Sequence, residues 1–346
     1  MMKLSRLMLA AVAVCGTSAV MAQSSVTIYG RVNTTVEHQK LGDNKATGVA
    51  NNNSRIGFKG VEDLGNGLKA GFQLEAGFGS DDGSGPLTFK RQSEVNLSGN
   101  FGMVRLGNFY PESYFATPDY IGMHNHETGS SSDVLYYDAA WFDGNLDGNR
   151  TGNKVAYRTP TFNNFWAEAS VSLHEKANNP VVKVNKNAYD LAANYNNGPL
   201  SLGAGYSYWN SNYQAALRGL YTFGQFTVGA YYQRNKDDNA ILGTGAGSRN
   251  NFRLSAMYVM NASEFHVNVG RANKWSNVSD SAATQWTLGY NYNLSKRTKI
   301  YTYYTRINSG KGMDYSSGAV SFNSIKTGTN AGDNFSSFAL GVRHNF

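Results

Sequence analysis

Cysteine is almost missing from this chain: among 346 residues the one example is Cys15, and it falls in an amino-terminal stretch that reads as a removable address. A disulfide framework and thiolate chemistry are thereby excluded from the remainder. Proline is scarce, with six residues, so little interrupts long extended segments. Beyond LMLAAVAV at 7–14 no apolar run approaches the roughly 18 residues that a spanning helix requires. No block of lysine and arginine is present, which removes the electrostatic footprint expected of a nucleic-acid partner. The glycine-rich GTGAGS at 243–248 is not followed by Gly-Lys, which argues against a phosphate cradle and leaves it an external loop.

What is abundant points one way. Lys3 and Arg6 precede the apolar run, and Val20 and Ala22 suit the slots of a cleavage site, so residues 1–22 read as a secretory signal peptide. Residues 23–346 then form one domain. Their loss of two basic side chains from 31 leaves 29 against 24 acidic ones, a mild balance of +5. Glycine (38), tyrosine (22) and phenylalanine (18) are plentiful and suit strands. A mean hydropathy of −0.44 looks soluble, yet a strand with one oily face averages to polar, and transmembrane barrels escape hydropathy windows for that reason.

The alternation is clearest in SRIGFKGVEDLGNGLKAGFQLEAGF (54–78). Ile56, Phe58, Leu68, Ala70, Phe72, Leu74, Ala76 and Phe78 share one surface; Arg55, Lys59, Lys69, Gln73 and Glu75 share the other. The joint between the halves carries the Asn-Gly signal of a tight hairpin. Similar runs continue to SFALGVRHNF at 337–346, and sixteen strands are counted. Short joints such as NNGP, FGQ and MNAS alternate with long polar segments, expected as loops at 37–53, 79–87, 111–152, 175–187, 236–250, 272–282 and 308–335. One trimmed rim and one elaborate rim are the pattern of an outer-membrane barrel. Tyr157, Tyr189, Tyr206, Tyr221, Phe226, Phe252, Trp286 and Phe346 fall on the apolar face, many near strand ends where aromatic girdles sit. The fold expected is all-β: a transmembrane antiparallel 16-stranded barrel, lipid outside and water inside.

Parity also nominates a lining. Arg31, Arg55, Lys59, Lys69 and Arg105 point inward on the early strands, then Lys154, Arg158, Arg218, Arg253, Lys299 and Arg343; Arg91 is ambiguous. The segment 110–149 is the opposite in charge, with Glu112, Asp119, Glu127, Asp133, Asp138, Asp143 and Asp147 and no lysine or arginine. Folded into the barrel, it would set an acidic strip against a basic wall and sort ions by charge. The alternative is an acidic loop solvated at the rim. The sign of selectivity stays open, because wall and loop argue for opposite ions.

SSVTIYG (24–30), the hairpin 54–78, FGMVRLG (101–107), NKVAYRTPTFNNF (153–165), YNLSKRT (292–298) and GVRHNF (341–346) resemble the Gram-negative general porins of the neisserial and burkholderial type. The resemblance implies a homotrimer of 16-stranded barrels with the loop after the fifth strand folded inward. It also implies that the last strand, ending in Phe346, is read by the outer-membrane assembly machinery. The sequence departs at two slots: Asn33 stands where the family often has aspartate, and Asn108 where it often has arginine.

The function expected is therefore passive diffusion of small hydrophilic solutes and ions across the outer membrane, with no cofactor and no structural metal. A substrate-specific channel for a sugar or small anion is the alternative, left open by the aromatic residues Tyr110, Tyr114, Phe115, Tyr120, Tyr136, Tyr137, Trp141 and Phe142. A barrel hydrolase is the third reading. Its candidates are thin: His124 and His126 lie in HNH near Glu127 and Asp133, and His266 and Asn268 lack a serine partner at a recognisable spacing.

Overall fold

The computed structural model describes residues 25–118, 121–122, 135, 152–174, 186–238 and 245–346. Its strands are β1 (Ser25–Leu41), β2 (Asn44–Asn51), β3 (Arg55–Gly65), β4 (Leu68–Gly77), β5 (Gln92–Gly99), β6 (Gly102–Asn108), β7 (Lys154–Arg158), β8 (Phe165–Ser172) and β9 (Ala188–Asn197). They continue with β10 (Leu200–Trp209), β11 (Asn212–Phe223), β12 (Phe226–Asp237), β13 (Gly247–Met260), β14 (Ser263–Ala272), β15 (Ala283–Asn293), β16 (Thr298–Ser309) and β17 (Phe335–Asn345). Each pairs antiparallel with its neighbours, and β17 pairs back onto β1 from Arg31↔Asn345 to Leu41↔Phe335. Gly30 and Phe346 exchange both backbone hydrogen bonds at 3.1 Å, carrying the seam to the last residue. Among the described strands no edge is left open to lipid.

β2 and β3 both pair with β1 and form a single wall segment, so the barrel is 16-stranded. The break is a bulge. Asn51 faces Thr34 while Arg55 faces Arg31, so three residues oppose two, and Asn53 takes a left-handed φ of 58°. One extra residue flips side-chain parity: Val49 faces out beyond the bulge and Ile56 before it. The long loop expected at 37–53 is corrected here: those residues are strand, the two-residue turn Gly42–Asp43, and strand again.

The two rims differ as expected elsewhere. Tight joints at 66–67, 100–101, 198–199, 224–225 and 261–262 close one end, several with Asn or Gly at positive φ, as Asn66 (52°) and Gly67 (78°). The other end carries the long connections 78–91, 109–153 and 310–334, with the short turns 42–43 and 210–211 as exceptions.

Burial is inverted relative to a soluble protein. On β1 the inward Asn33, Glu37 and Gln39 are fully buried while the outward Val36 is 53 % exposed; Leu254 on β13 is 62 % exposed. An apolar wall of this extent belongs in hydrocarbon. Near the short rim an outer aromatic band runs Phe223–Phe226 (5.6 Å between ring centres), Phe226–Tyr258 (4.6 Å) and Phe265–Tyr290 (5.1 Å). Toward the long rim stand Tyr206–Tyr213 (6.0 Å) and Trp286–Tyr304 (5.2 Å). Segment 78–91 folds along the outer wall of the early strands, with Phe89 edge-on to Phe58 and Ser80 Oγ 2.7 Å from Thr34 Oγ1.

Candidate functional site

The bore is narrowed from within by the start of the segment 109–153. After β6 the chain turns inward at Phe109 and forms the short helix α1 (Glu112–Ala116). Two glycines let it lie flush on the wall: a Cβ on Gly203 would come 1.8 Å from Ala116 O, and one on Gly205 2.7 Å from Ser113 Cβ. Asp190, inward on β9, accepts from the Ser113 amide (3.2 Å), the Ser113 hydroxyl and Ser207 Oγ (2.5 Å). Lys154 donates to Phe109 O at 2.8 Å and lies over the Phe109 ring.

A ladder of alternating charge ties this helix to four strands. Arg105 on β6 donates to Glu94 on β5 at 2.6 Å and to Glu168 on β8 at 3.0 Å. Arg158 on β7 then donates to Glu168 at 2.8 Å and to Glu112 of α1 at 2.7 Å. Each guanidinium also stacks on a ring, Arg105 on Phe109 (4.0 Å) and Arg158 on Trp166 (4.3 Å). Burial, together with the carboxylates of Glu168 and Asp190, pushes the Glu112 carboxyl up to about 7 against the pull of Arg158 and Arg105.

A second cluster gathers on the adjoining wall. Register places Arg31 opposite Arg55, and Arg343 opposite both Asn33 and Lys299, so four cations lie on neighbouring inward positions of β1, β3, β17 and β16. Glu75 sits among them, accepting hydrogen bonds from Tyr29 OH (3.0 Å) and Arg91 (2.7 Å) and ion-paired with Arg55 at 3.6 Å. Lys299 reaches Glu264 at 3.1 Å. Arg91 lies within electrostatic range of Tyr110 and Tyr114, so the cluster abuts the entry of α1, where Tyr110 and Tyr114 are 5.4 Å apart. Lys59, over the Tyr29 ring at 5.4 Å, and Lys69, beside the tight turn 66–67, lie toward the short rim. Nearer the opposite mouth, segment 310–334 folds in: Ser321 and Gln39 exchange two bonds at 3.0 Å, and Tyr315, Val320 and Ile325 pack with Leu41, Ile307 and Phe335.

A closed wall with a polar interior, an inward helix and charge of both signs is the anatomy of an aqueous channel. The profile of the family described as Gram-negative porin matches residues 9–312. This chain belongs to the Gram-negative porins. It is 32 % identical over 372 residues to outer membrane porin protein 32 of Delftia acidovorans, with all of both chains covered. It is 31 % identical over 199 residues, 52 % of each chain, to the major outer membrane protein P.IB of Neisseria meningitidis serogroup A. Among solved structures the anion-selective porin from Comamonas acidovorans superposes with a TM-score of 0.77 at 28 % identity, covering 94 % of this chain and 100 % of that one. The porin resides in the outer membrane and passes small hydrophilic solutes through its bore.

Of the sequence-predicted site residues, the porin brings Arg31 and Arg55 together around Glu75, and Arg105, Lys154, Arg158 and Glu112 together around α1. Asp119, Glu127 and Asp133, with His124 and His126, lie outside the described residues. Parity reasoning sought cations and so passed over the carboxylates Glu94 and Glu168, and placed Glu75 on the polar face without giving it a role, although all three share the inward register. Arg91, ambiguous by alternation, joins the inner cluster because it precedes β5 and is drawn in by Glu75.

Proposed function

We propose that this porin is a general diffusion pore with a preference for anions, its narrowest section lying between α1 and the cluster Arg31, Arg55, Arg91, Arg343 and Lys299. The observation that carries the reading is that cluster itself: five inward cations, Arg31, Arg55 and Arg91 around Glu75 and Arg343 and Lys299 beside Arg31, with Glu264 against Lys299, next to the inward helix. Cations spread over a wetted wall lower the entry barrier for anions without a tight binding site. Arg105, Lys154 and Arg158 act differently, as anchors of the loop, because their charge is met at contact distance by Glu94, Glu168, Glu112 and the Phe109 carbonyl. The anion-selective porin that superposes on this chain is consistent with the sign.

The deciding experiment is the reversal potential in planar bilayers under a potassium chloride gradient. Anion preference is expected, and its loss in Arg31→Gln/Arg55→Gln; an unchanged cation-preferring current would sink the proposal. A channel specific for a small aromatic or sugar-like anion is the second reading, favoured by Tyr110, Tyr114 and Phe115 beside Arg91; concentration-dependent current block by one solute class would select it. We further infer a homotrimer, Phe346 as a signal read by the assembly machinery, and no catalytic role, all supported by family membership. Cross-linking of the folded protein tests the first, outer-membrane yield of a Phe346 deletion the second.

A further inference from the structure

Away from the bore, the outer wall of β9–β13 carries a groove of ≈ 830 Å³ lined almost wholly by apolar side chains. Small residues make its floor. Ala193 pairs with Ala204, and Gly219 pairs with Ala230, so four neighbouring outward positions lack bulk where Leu217, Tyr232 and Phe252 stand up as walls. Along β12, Tyr232 is followed two residues later, about 7 Å, by the outward and exposed Arg234. Its guanidinium is held by Asn250 Oδ1 at 3.0 Å and Tyr213 OH at 3.3 Å. On the far side of β13, Arg271 is also exposed and stands opposite Phe252 in the ladder. Both arginines lie on the long-loop side of the groove, which faces the outer leaflet in barrels of this class. Among the described residues no loop covers this wall, in contrast to the early strands beneath segment 78–91.

We propose that this groove is a specific site for one phosphorylated acyl lipid of the outer leaflet, an acyl chain lying over Ala204, Gly219 and Ala230 and a phosphate held by Arg234 and Arg271. A cation displayed on the lipid face is disfavoured in hydrocarbon but complements a phosphate at the interface. The trough supplies what a flat barrel wall lacks, a concave apolar bed of the size of small-molecule sites, about 300–1,000 Å³. The site lies on the outside of the wall and is separate from the charge clusters of the bore.

Native mass spectrometry of the purified, folded full-length oligomer tests this, with bisphosphorylated hexa-acyl lipid A and its dephosphorylated form as probes. The wild type should retain one lipid A per chain and bind the dephosphorylated probe about tenfold more weakly or worse, the loss expected on removing one charge-assisted contact. Arg234→Gln/Arg271→Gln should weaken lipid A by a similar factor. Gly219→Phe should abolish retention by filling the trough; a Cβ there meets only Leu202 Cδ2 at 3.6 Å, so the outward space is free. Channel conductance should be unchanged in both variants. Equal binding of the two probes, undiminished binding by the charge variant, or dissociation of the oligomer by Gly219→Phe would each overturn the proposal, the last by assigning the groove to a second copy of this chain. If Gly219→Phe fails to fold, Gly219→Leu replaces it, and the charge variant decides.

Discussion

Arg105 shows how a single inward cation changes meaning once its neighbours are known. It is buried to 6 % exposure between Glu94 and Glu168, so among the described residues Arg105→Ala leaves the buried Glu94 with only the amides of Gln92 and Asn96 and Glu168 with Arg158 alone. A loss of about 3–5 kcal/mol is expected, measured as unfolding free energy in urea from lipid vesicles, with Arg105→Lys recovering only part because an ammonium cannot bridge both partners bidentately. Asn33 makes a related point. Its Nδ2 donates to Asn52 O across the bulge at 2.9 Å while its Oδ1 accepts from Tyr301 OH at 2.7 Å. Asn33→Asp removes the donor and sets a carboxylate against a carbonyl, so destabilisation of about 1–3 kcal/mol follows; a lower temperature of conversion from folded to unfolded band on unheated gels checks it. The amide at position 33 is thus explained by packing. Alternation could show that both residues face inward; it could not show their partners, some of which, Glu168 and Tyr301, come from strands far away in sequence.

At the scale of elements, the period-two pattern was legible wherever apolar residues marked the outward face, and it failed at 37–53 because the outward His38, Lys40, Lys45 and Thr47 are polar and the bulge at 52–54 then switches the inward set from one parity to the other. A run of three asparagines then looks like loop, although Asn52, donating to Thr35, and Asn51, accepting from the Ser54 amide, bond the bulge closed. The inward course of the chain after β6 came only from family resemblance. Its physical mark, Gly203 and Gly205 on the inward face of β10, was in view but carried no signal until α1 lay against it. Gly203→Val places two methyls where the Ala116 carbonyl now sits. The helix must shift toward the pore axis, so single-channel conductance should fall and stability drop by about 1–3 kcal/mol from overpacking; Ala204→Val, pointing outward from the same strand, should leave conductance unchanged. Bilayer recordings of the two variants separate a positioned helix from a loop that merely rests nearby.

For the whole molecule, the barrel wall was readable because it obeys one rule repeated along the chain, whereas the balance of charge in the bore depends on which groups stay ionised once packed. Glu112 is a group whose state changes in the ordinary working range. It faces Arg158 from β7, Arg105 from β6, Glu168 from β8, and Asp190 and Asn194 from β9, and burial sets its carboxyl near 7. A raised carboxyl is neutral below that pH and negative above it. Acidic solution therefore leaves the section beside α1 more positive, and rising pH adds a negative charge there. The anion-to-cation permeability ratio should accordingly fall as pH increases through about 7, and the step should vanish in Glu112→Gln, which holds the site neutral throughout. Reversal potentials recorded across that pH range in both proteins decide the matter: a step of equal size in Glu112→Gln would assign the titration to another group in the bore, and a ratio that rises with pH would contradict the sign.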